Sequence, residues 1–229
     1  MKTIGLIGGM SWESSAQYYK IMNEEVKRRL GGLHSAQCIL ASVDFEQIER
    51  FQKLGQWDEA GALLATVASN LEKAGADFII ICTNTMHKVV TIIEAAISIP
   101  ILHIADATAY EIKRSKLRKI GLLGTKYTME QDFYKERVQQ HQIDIVIPNE
   151  TSRIEVNRII FDELCLGETK ATSKAYYLQV IDELIQQGAE GIILGCTEIG
   201  LLVNMQDIDI PVFDTTIIHA ISAVEKAFS

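Results

Sequence analysis

The chain has 229 residues, and 48% of them are hydrophobic, which is enough to build a core and excludes a disordered protein. It carries 22 Lys and Arg against 30 Asp and Glu, a net charge of −8, and its longest basic run is Lys27–Arg29. This balance argues against a nucleic-acid partner and an anionic membrane surface. Without an apolar segment of roughly 18 to 20 residues or a recognisable signal peptide, the chain is expected to be cytoplasmic.

Eight short apolar segments bounded by Gly, Asn, Asp or Pro are predicted to be strands. In chain order they are Thr3–Ile7, Gln37–Val43, Phe78–Cys82, Ile99–His103, Ile120–Leu123, Asp144–Ile147, Gly191–Leu194 and Pro211–Phe213. Their Val, Ile and Leu run without strict alternation, which is typical of parallel strands that are buried on both faces.

Longer segments with helical periodicity lie between these strands. The clearest are Ser14–Leu30, Asp58–Ala74, Met129–Gln140, Ala175–Gln187 and the closing segment Thr216–Phe228. Because strands and helices alternate along the whole chain, the sequence predicts an α/β fold.

Three segments of the first half recur in the same order in the second half. The pairs are Lys2–Gly8 with Arg118–Gly124, Gly75–Thr83 with Gly188–Cys196, and Ile99–Ile101 with Ile210–Val212. Their residue numbers differ by 116, 113 and 111. We therefore predict two pseudo-symmetric subdomains, each a short parallel sheet flanked by helices. The first takes residues 1–98 and 208–229, and the second takes residues 99–207, with the Ile99 strand leading into it.

The residues that follow the strands are the candidates for chemistry, because ligands of parallel sheets bind beyond the carboxyl ends of strands. Two related halves can present these ends across a cleft, where we expect the active site. The ungapped repeat places Thr83 opposite Cys196. A pair of groups on opposite walls suits proton exchange on both faces of a planar carbanion, as in racemisation or epimerisation beside a carboxylate.

Four motifs follow these strands: Gly8-Gly9-Met10, Thr83-Asn84-Thr85-x-His87, Gly124-Thr125, and Gly195-Cys196-Thr197-Glu198. Together they resemble the motifs of the cofactor-independent aspartate/glutamate racemase superfamily, over essentially the whole chain. The resemblance implies two pseudo-symmetric subdomains, no pyridoxal phosphate or other cofactor, and usually a homodimer. It also implies two cysteines that remove and return the α-proton of an amino acid from opposite faces.

One position departs from the family pattern, which has Cys-Asn-Thr where this chain has Thr83-Asn84-Thr85. A polar, cationic site can lower the pKa of a thiol enough to give a thiolate, whereas an aliphatic hydroxyl needs a neighbouring base. Cys196 is therefore the expected base, and Thr83 a poor proton donor or an orienting hydroxyl. In the family the second-half cysteine acts on the L-enantiomer, so we expect a preference for L-amino acids. Cys82 should face away and serve as a core residue.

The α-carboxylate of a substrate needs preorganised donors while charge builds up on it. Backbone N–H groups and hydroxyls at Asn84, Thr85, Thr125 and Thr197 are the candidates, with helix capping as the alternative role of Thr85 and Thr125. Met10, in the turn after the first strand, completes this set. Glu198 and His87 could hold a thiol or the ammonium group, or they could simply begin a helix.

The substrate side chain is less well defined by the sequence. Family members specific for aspartate place an Arg after the second strand and a Lys in a helix of the second half. Arg50 and Gln52 are the candidates for the first position, and Arg50 matches only if the loop shifts. Residues 161–165 lack the Lys. Aspartate or glutamate is the expected substrate, and a neutral amino acid remains open.

Two other functions remain open. Some superfamily members keep only the second-half cysteine and decarboxylate an activated malonate, and a chain with one base could also be a catalytically weak amino-acid-binding protein. A metal site is not expected, because the five His form no HxH or HExxH motif. The four cysteines include no CxxC pair and are interpreted as free thiols.

Overall fold

The computed structural model describes all 229 residues, with seven strands, eleven α-helices and three short 3₁₀ helices. Strands β1 to β7 are Ile4–Gly8, Cys38–Ser42, Phe78–Ile81, Lys119–Gly124, Asp144–Val146, Gly191–Gly195 and Val212–Asp214. Helices α1 to α11 are Trp12–Leu30, Phe45–Leu54, Trp57–Lys73, Val90–Glu94, Ile104–Arg114, Lys126–Glu130, Asp132–Gln139, Glu150–Asp162, Ala171–Gln186, Ile199–Leu202 and Thr215–Phe228. The 3₁₀ helices are Thr85–Val89, Leu164–Leu166 and Met205–Asp207. None of the helices combines the length and the apolarity that a bilayer crossing requires.

The chain forms two compact units, residues 1–104 with 219–229 and residues 105–218. The first unit contains a three-stranded sheet in the order β2-β1-β3, and the second a four-stranded sheet in the order β5-β4-β6-β7. Every pair of neighbouring strands is parallel. The predicted α/β fold with two helix-flanked parallel sheets is therefore confirmed.

The unit boundaries lie later in the chain than residues 98 and 207. The prediction that Ile99–His103 is a strand leading into the second half is wrong. Ile101 forms a single parallel bridge with Ile79 of β3, in the first unit, and α5 already begins at Ile104. At the other boundary, β7 pairs with β6 and so belongs to the sheet of the second unit.

The sheet of the first unit is covered by apolar side chains on both faces. Ile79 and Ile81 of β3 pack in one cluster with residues of α2, α3 and α4. Phe78 and Ile80 pack in a second cluster with residues of α1 and α11. Each such side chain contributes about 1.5 to 3 kcal/mol when fully buried. Burial on both faces explains why these strands are uninterrupted apolar runs in the sequence.

The internal repeat is preserved in the register of the strands. Ile4 of β1 pairs with Phe78 of β3, and Ile120 of β4 pairs with Gly191 of β6. These are the residues that the sequence repeat makes equivalent. Each unit therefore builds its central strand pair from the same positions of the repeat, as the prediction of two related halves requires.

Equivalent acidic residues also accept hydrogen bonds from the backbone at the start of each central strand pair. In the first unit the Thr3 N–H donates to Asp77 Oδ2 at 2.6 Å. In the second unit the Lys119 N–H donates to Glu190 Oε2 at 3.1 Å. The repeat thus extends beyond the apolar core to the polar contacts that begin the strands.

The predicted helix Met129–Gln140 is interrupted in the structure. Gln131 has an extended backbone, with φ −85° and ψ 153°, and it separates α6 from α7. Its N–H still donates to the Tyr127 carbonyl at 3.1 Å and closes α6. A residue with that ψ cannot continue an α-helix, so the segment forms two short helices that sequence periodicity alone does not distinguish.

Gly9 is required by the tight turn after β1. It has φ +89°, and a Cβ at this position would overlap the carbonyl oxygen of Val43 and lie 2.6 Å from its nitrogen. The Gly9 N–H donates to Ser15 Oγ at 2.8 Å, which holds the turn against α1. Close backbone approach and a positive φ together exclude a larger residue here.

We expect Gly9→Ala to lower the free energy of unfolding by about 3 kcal/mol or more, because the strain of positive φ adds to a backbone overlap. Gly55→Ala is the matched control, since Gly55 has φ +70° and a Cβ added there would meet no heavy atom within 4 Å. That variant should cost only about 1 kcal/mol. Urea unfolding measures both, and equal losses would contradict the overlap.

Candidate active site

The residues predicted to act lie beyond strand ends in each unit. In the first unit, Met10 follows β1 and Thr83 follows β3. In the second unit, Thr125 follows β4 and Cys196 follows β6. Parallel strands end at the same edge of their sheet, so each unit gathers its own set of these residues at one edge.

Thr83 is half-buried, and its hydroxyl makes no hydrogen bond within the chain. Its carbonyl oxygen lies 2.8 Å from Nδ1 of His87. The two residues that follow, Asn84 and Thr85, are buried. A threonine without a neighbouring base keeps its proton, so this strand end offers a neutral hydroxyl rather than a proton acceptor.

Cys82 is fully buried in the apolar cluster between the sheet and helices α1 and α11. Burial raises the pKa of its thiol, because a thiolate would lose its hydration there. The side chain is thus a neutral part of the core, in agreement with the interpretation from strand alternation.

Cys196 is half-buried, and its thiol donates to Glu198 Oε2 at 3.0 Å. The Thr197 hydroxyl donates to the same oxygen at 2.6 Å. Glu198 is buried, and its carboxylate accepts a hydrogen bond from each of these neighbouring side chains. Three consecutive residues after β6 therefore form one hydrogen-bonded group.

Burial first, and the Glu198 carboxylate second, raise the pKa of the Cys196 thiol well above its ordinary value. Both effects oppose the lowering of a thiol pKa that a cationic setting would give. Cys196 rests as a thiol, and the nearest proton acceptor in its group is Glu198 Oε2. Any use of the sulfur as a base must first move this proton.

Thr125 serves as the N-cap of α6. Its hydroxyl oxygen accepts a hydrogen bond from the Thr128 N–H at 3.4 Å, and the residue is buried. The helix-capping role, which the sequence left open beside substrate binding, is therefore present.

The two candidates on α2 point in different directions. Gln52 and Ile48 are buried, one turn apart, and the Gln52 amide donates to Met86 Sδ at 3.2 Å. Arg50 lies between them in sequence, about 200° around the helix from each, and is exposed. Gln52 thus reaches the 3₁₀ helix after Thr83, whereas Arg50 does not. Met10 is buried in the cluster that contains Ile48 and Met86.

A cluster of buried histidines adjoins the Thr83 turn in the first unit. His87 and His103 have ring centroids 4.4 Å apart, and His87 and His219 have centroids 6.0 Å apart. His219 was not predicted from the sequence. Its position on the buried face of α11 is the only signal, and that signal does not reveal which other residues it meets.

One further carboxylate was not identified from the sequence. Asp214, at the end of β7, is buried, and its Oδ1 accepts from the N–H groups of Thr216 and Ile217 at 2.8 and 3.2 Å. Burial raises the pKa of this carboxyl group. These contacts make it a cap of α11.

The chain matches a known protein family over most of its length. The sequence profile described as Asp/Glu/Hydantoin racemase matches residues 7–223. This chain belongs to the Asp/Glu/hydantoin racemase family.

Similar proteins cover most or all of the chain. The broad specificity amino-acid racemase RacX of Bacillus subtilis (strain 168) is 29% identical over 167 residues, which are 73% of this chain and 72% of RacX. A crystal structure of a Yersinia pestis protein proposed to be an Asp/Glu racemase is 56% identical, covers 100% of both chains and has a TM-score of 0.94. The structure of an aspartate racemase homologue from Pyrococcus horikoshii OT3 is 35% identical over 100% of both chains, with a TM-score of 0.86.

We expect Glu198→Gln to lower the pKa of Cys196, because an amide keeps an acceptor oxygen but removes the negative charge. Alkylation of Cys196 by iodoacetamide at pH 8, followed by mass spectrometry, should then be several-fold faster, since each pKa unit is about a tenfold change in thiolate. Glu150→Gln, at an exposed carboxylate, is the control and should leave the rate unchanged. A slower reaction in the Glu198 variant would contradict the assignment.

The buried histidines should make stability depend on pH. Burial lowers the pKa of His219 to about 4 and that of His87 well below 6.5, so the unfolded chain binds more protons than the folded one as pH falls below 6.5. The free energy of unfolding should therefore drop by about 1.4 kcal/mol per pH unit for each histidine that titrates.

Urea unfolding between pH 7.5 and about 4.5 tests this dependence. His219→Gln should reduce the slope below pH 6.5, because glutamine offers an acceptor and a donor but does not titrate in this range. His34→Gln, at an exposed histidine, should keep the wild-type slope. Equal slopes in all three proteins would show that His219 does not carry the effect.

Proposed function

We propose that the protein is an amino-acid racemase that works without pyridoxal phosphate. Cys196 would take the α-proton of an L-amino acid, with aspartate and glutamate as the first substrates to test, and reprotonation would come from the Thr83 side. The observation that carries this proposal is the thiol of Cys196 at the end of β6, 3.0 Å from the Glu198 carboxylate.

The proposed reaction begins with a proton shift within this group. The thiol passes its proton to Glu198 Oε2 in an unfavourable step, because burial and the Glu198 charge favour the thiol, and this leaves a thiolate and a neutral carboxyl group. The thiolate then takes the α-hydrogen, and the electron pair of the broken C–H bond spreads onto the α-carboxylate of the substrate. If the hydrogen on the sulfur exchanges with solvent before it is returned, the L-enantiomer is restored with a solvent hydrogen, so isotope exchange precedes inversion.

The carboxylate of the substrate must be held by donors as charge builds up on it. The Thr197 hydroxyl already donates to Glu198, so we propose its backbone N–H rather than its side chain for this role. Asn84 and Thr85, buried in the turn after β3, are the proposed donors of the first unit.

Inversion should be slower than exchange on the L side. The Thr83 hydroxyl has no base beside it, so it can supply or accept a proton only through an unfavourable alkoxide or through solvent. The proposed enzyme thus acts on the two enantiomers at different rates. The thiol and its carboxylate exchange the proton of the L-enantiomer, and a neutral hydroxyl acts on the D-enantiomer.

The preferred side chain of the substrate is open to a direct test. The exposed Arg50 is directed away from the Met86 side of α2, where the neutral amide of Gln52 lies. The name of RacX states a broad specificity. We therefore propose testing neutral and basic amino acids beside aspartate and glutamate, each as the separate L- and D-form.

Incubation with each amino acid in D₂O, followed by NMR of the α-proton, tests the proposal. We expect loss of the α-proton signal for an L-amino acid, with much slower loss for its D-form. Cys196→Ala should abolish the exchange, whereas Cys38→Ala, at the half-buried cysteine of β2, should not change it. Equal exchange of both enantiomers would refute the proposed preference.

Thr83→Cys should raise exchange on the D-enantiomer and net inversion by about tenfold or more, because a thiol ionises far more readily than an aliphatic hydroxyl. Chiral chromatography of the products measures the inversion. Release of carbon dioxide from an arylmalonate without amino-acid exchange would instead indicate a decarboxylase. A ligand-induced rise in melting temperature without any exchange would indicate a binding protein.

A further inference from the structure

The cluster around His87 draws its members from separate parts of the first unit. His87 lies in the 3₁₀ helix after β3, His103 lies just before α5, and His219 lies on α11. All three are buried. The Tyr18 hydroxyl of α1 lies 2.9 Å from Nδ1 of His219. The contacts of this cluster thus join three imidazoles to one another and one of them to a phenol.

The contacts of His87 determine which of its nitrogens carries the proton. Its Nε2 lies 3.3 Å from the backbone nitrogen of Ile104, which can only donate. Its Nδ1 lies 2.8 Å from the carbonyl oxygen of Thr83, which can only accept. The ring is therefore neutral, with the proton on Nδ1, and both nitrogens are in use.

The same reasoning applies to His219. Its Nε2 lies 2.9 Å from the Leu102 carbonyl oxygen, so Nε2 carries the proton and Nδ1 accepts from Tyr18. Its ring lies at 63° to that of His87. The neutral ring of His219, with both nitrogens hydrogen-bonded, thus packs against His87 and limits its movement.

The sheet does not hold the Thr83 carbonyl. Strand β3 ends at Ile81, and the next contact of this segment with β1 is the Cys82 N–H donating to the Ile7 carbonyl at 2.9 Å. Beyond that contact the Thr83 hydroxyl has no partner, and the Thr83 carbonyl is held by His87 Nδ1–H.

We propose that His87 is a positioning residue for the reaction. Its Nδ1–H fixes the carbonyl of Thr83, and its Nε2 ties the same turn to the first residue of α5. This inference rests on the proposed function, in which Thr83 and Asn84 meet the substrate. His87 acts on the reaction through the backbone of residue 83.

Two variants separate the two contacts of the ring. In His87→Asn the amide N–H stands near the place of Nδ1–H, so the bond to Thr83 is kept and the acceptor for Ile104 is lost. In His87→Gln the amide oxygen stands near the place of Nε2, so the acceptor is kept and the donor to Thr83 is lost. Each variant removes one hydrogen bond from a buried site, so both should lose similar stability.

We expect kcat for exchange of the L-substrate to fall by about tenfold or more in His87→Gln and by less than about threefold in His87→Asn, with similar urea midpoints. The His87→Asn variant would thus keep more activity than His87→Gln although the two variants are equally stable. Equal losses of kcat in both variants, or a greater loss in His87→Asn, would overturn the inference.

A measurement without substrate distinguishes failure of this inference from failure of the proposed function. Imidazole ¹⁵N NMR of the wild-type protein should show His87 with its proton on Nδ1. The backbone amide signal of Asn84 should shift further in His87→Gln than in His87→Asn, because both variants remove the ring current of His87 but only His87→Gln loses the bond to Thr83. A proton on Nε2, or an Asn84 signal that responds equally, overturns the inference. Absence of exchange in the wild type, with these signals as expected, overturns only the proposed function.

Discussion

The parallel direction of all strands is the constraint on which the rest of the structure depends. It places every carboxyl end of a sheet at the same edge, so residues far apart in the sequence become neighbours. In the first unit this gathers the turns after Gly8 and Ile81, and in the second the turns after Gly124 and Gly195. The fully buried strands behind these turns have no freedom to slide, because a shift of one residue would turn apolar side chains away from their clusters.

The two strand ends differ in chemistry although the scaffold around them repeats. Equivalent strands pair in equivalent registers. Yet the turn after β6 carries the Cys196 thiol, hydrogen-bonded to the Glu198 carboxylate, and the turn after β3 carries the Thr83 hydroxyl, which makes no hydrogen bond within the chain. Burial and the charge of Glu198 act in the same direction, raise the pKa of Cys196 and favour the thiol. A protonated sulfur is also protected against oxidation, since the thiolate is the reactive form.

The buried histidines show a second way in which the fold controls proton positions. Burial disfavours the imidazolium form, and the backbone partners of His87 and His219 then fix which nitrogen is protonated. These neutral rings satisfy backbone groups of Thr83, Leu102 and Ile104 that lie outside regular hydrogen-bond ladders. At pH values above those at which the rings become protonated, the hydrogen bonds of His87 stabilise the turn after β3.

The sequence by itself determined the α/β class, most strands and helices, and the repeat that equates Thr83 with Cys196, because these follow from local apolar periodicity and from duplicated segments. Only the tertiary structure decided that Ile101 contributes one bridge to the first sheet, that Arg50 is exposed while its neighbour Gln52 is buried, and that His219 joins His87. These outcomes depend on which side of a helix meets which neighbour, and on contacts between residues more than a hundred positions apart. The periodicity of apolar residues along the chain predicts neither the neighbours of a helix face nor these long-range contacts.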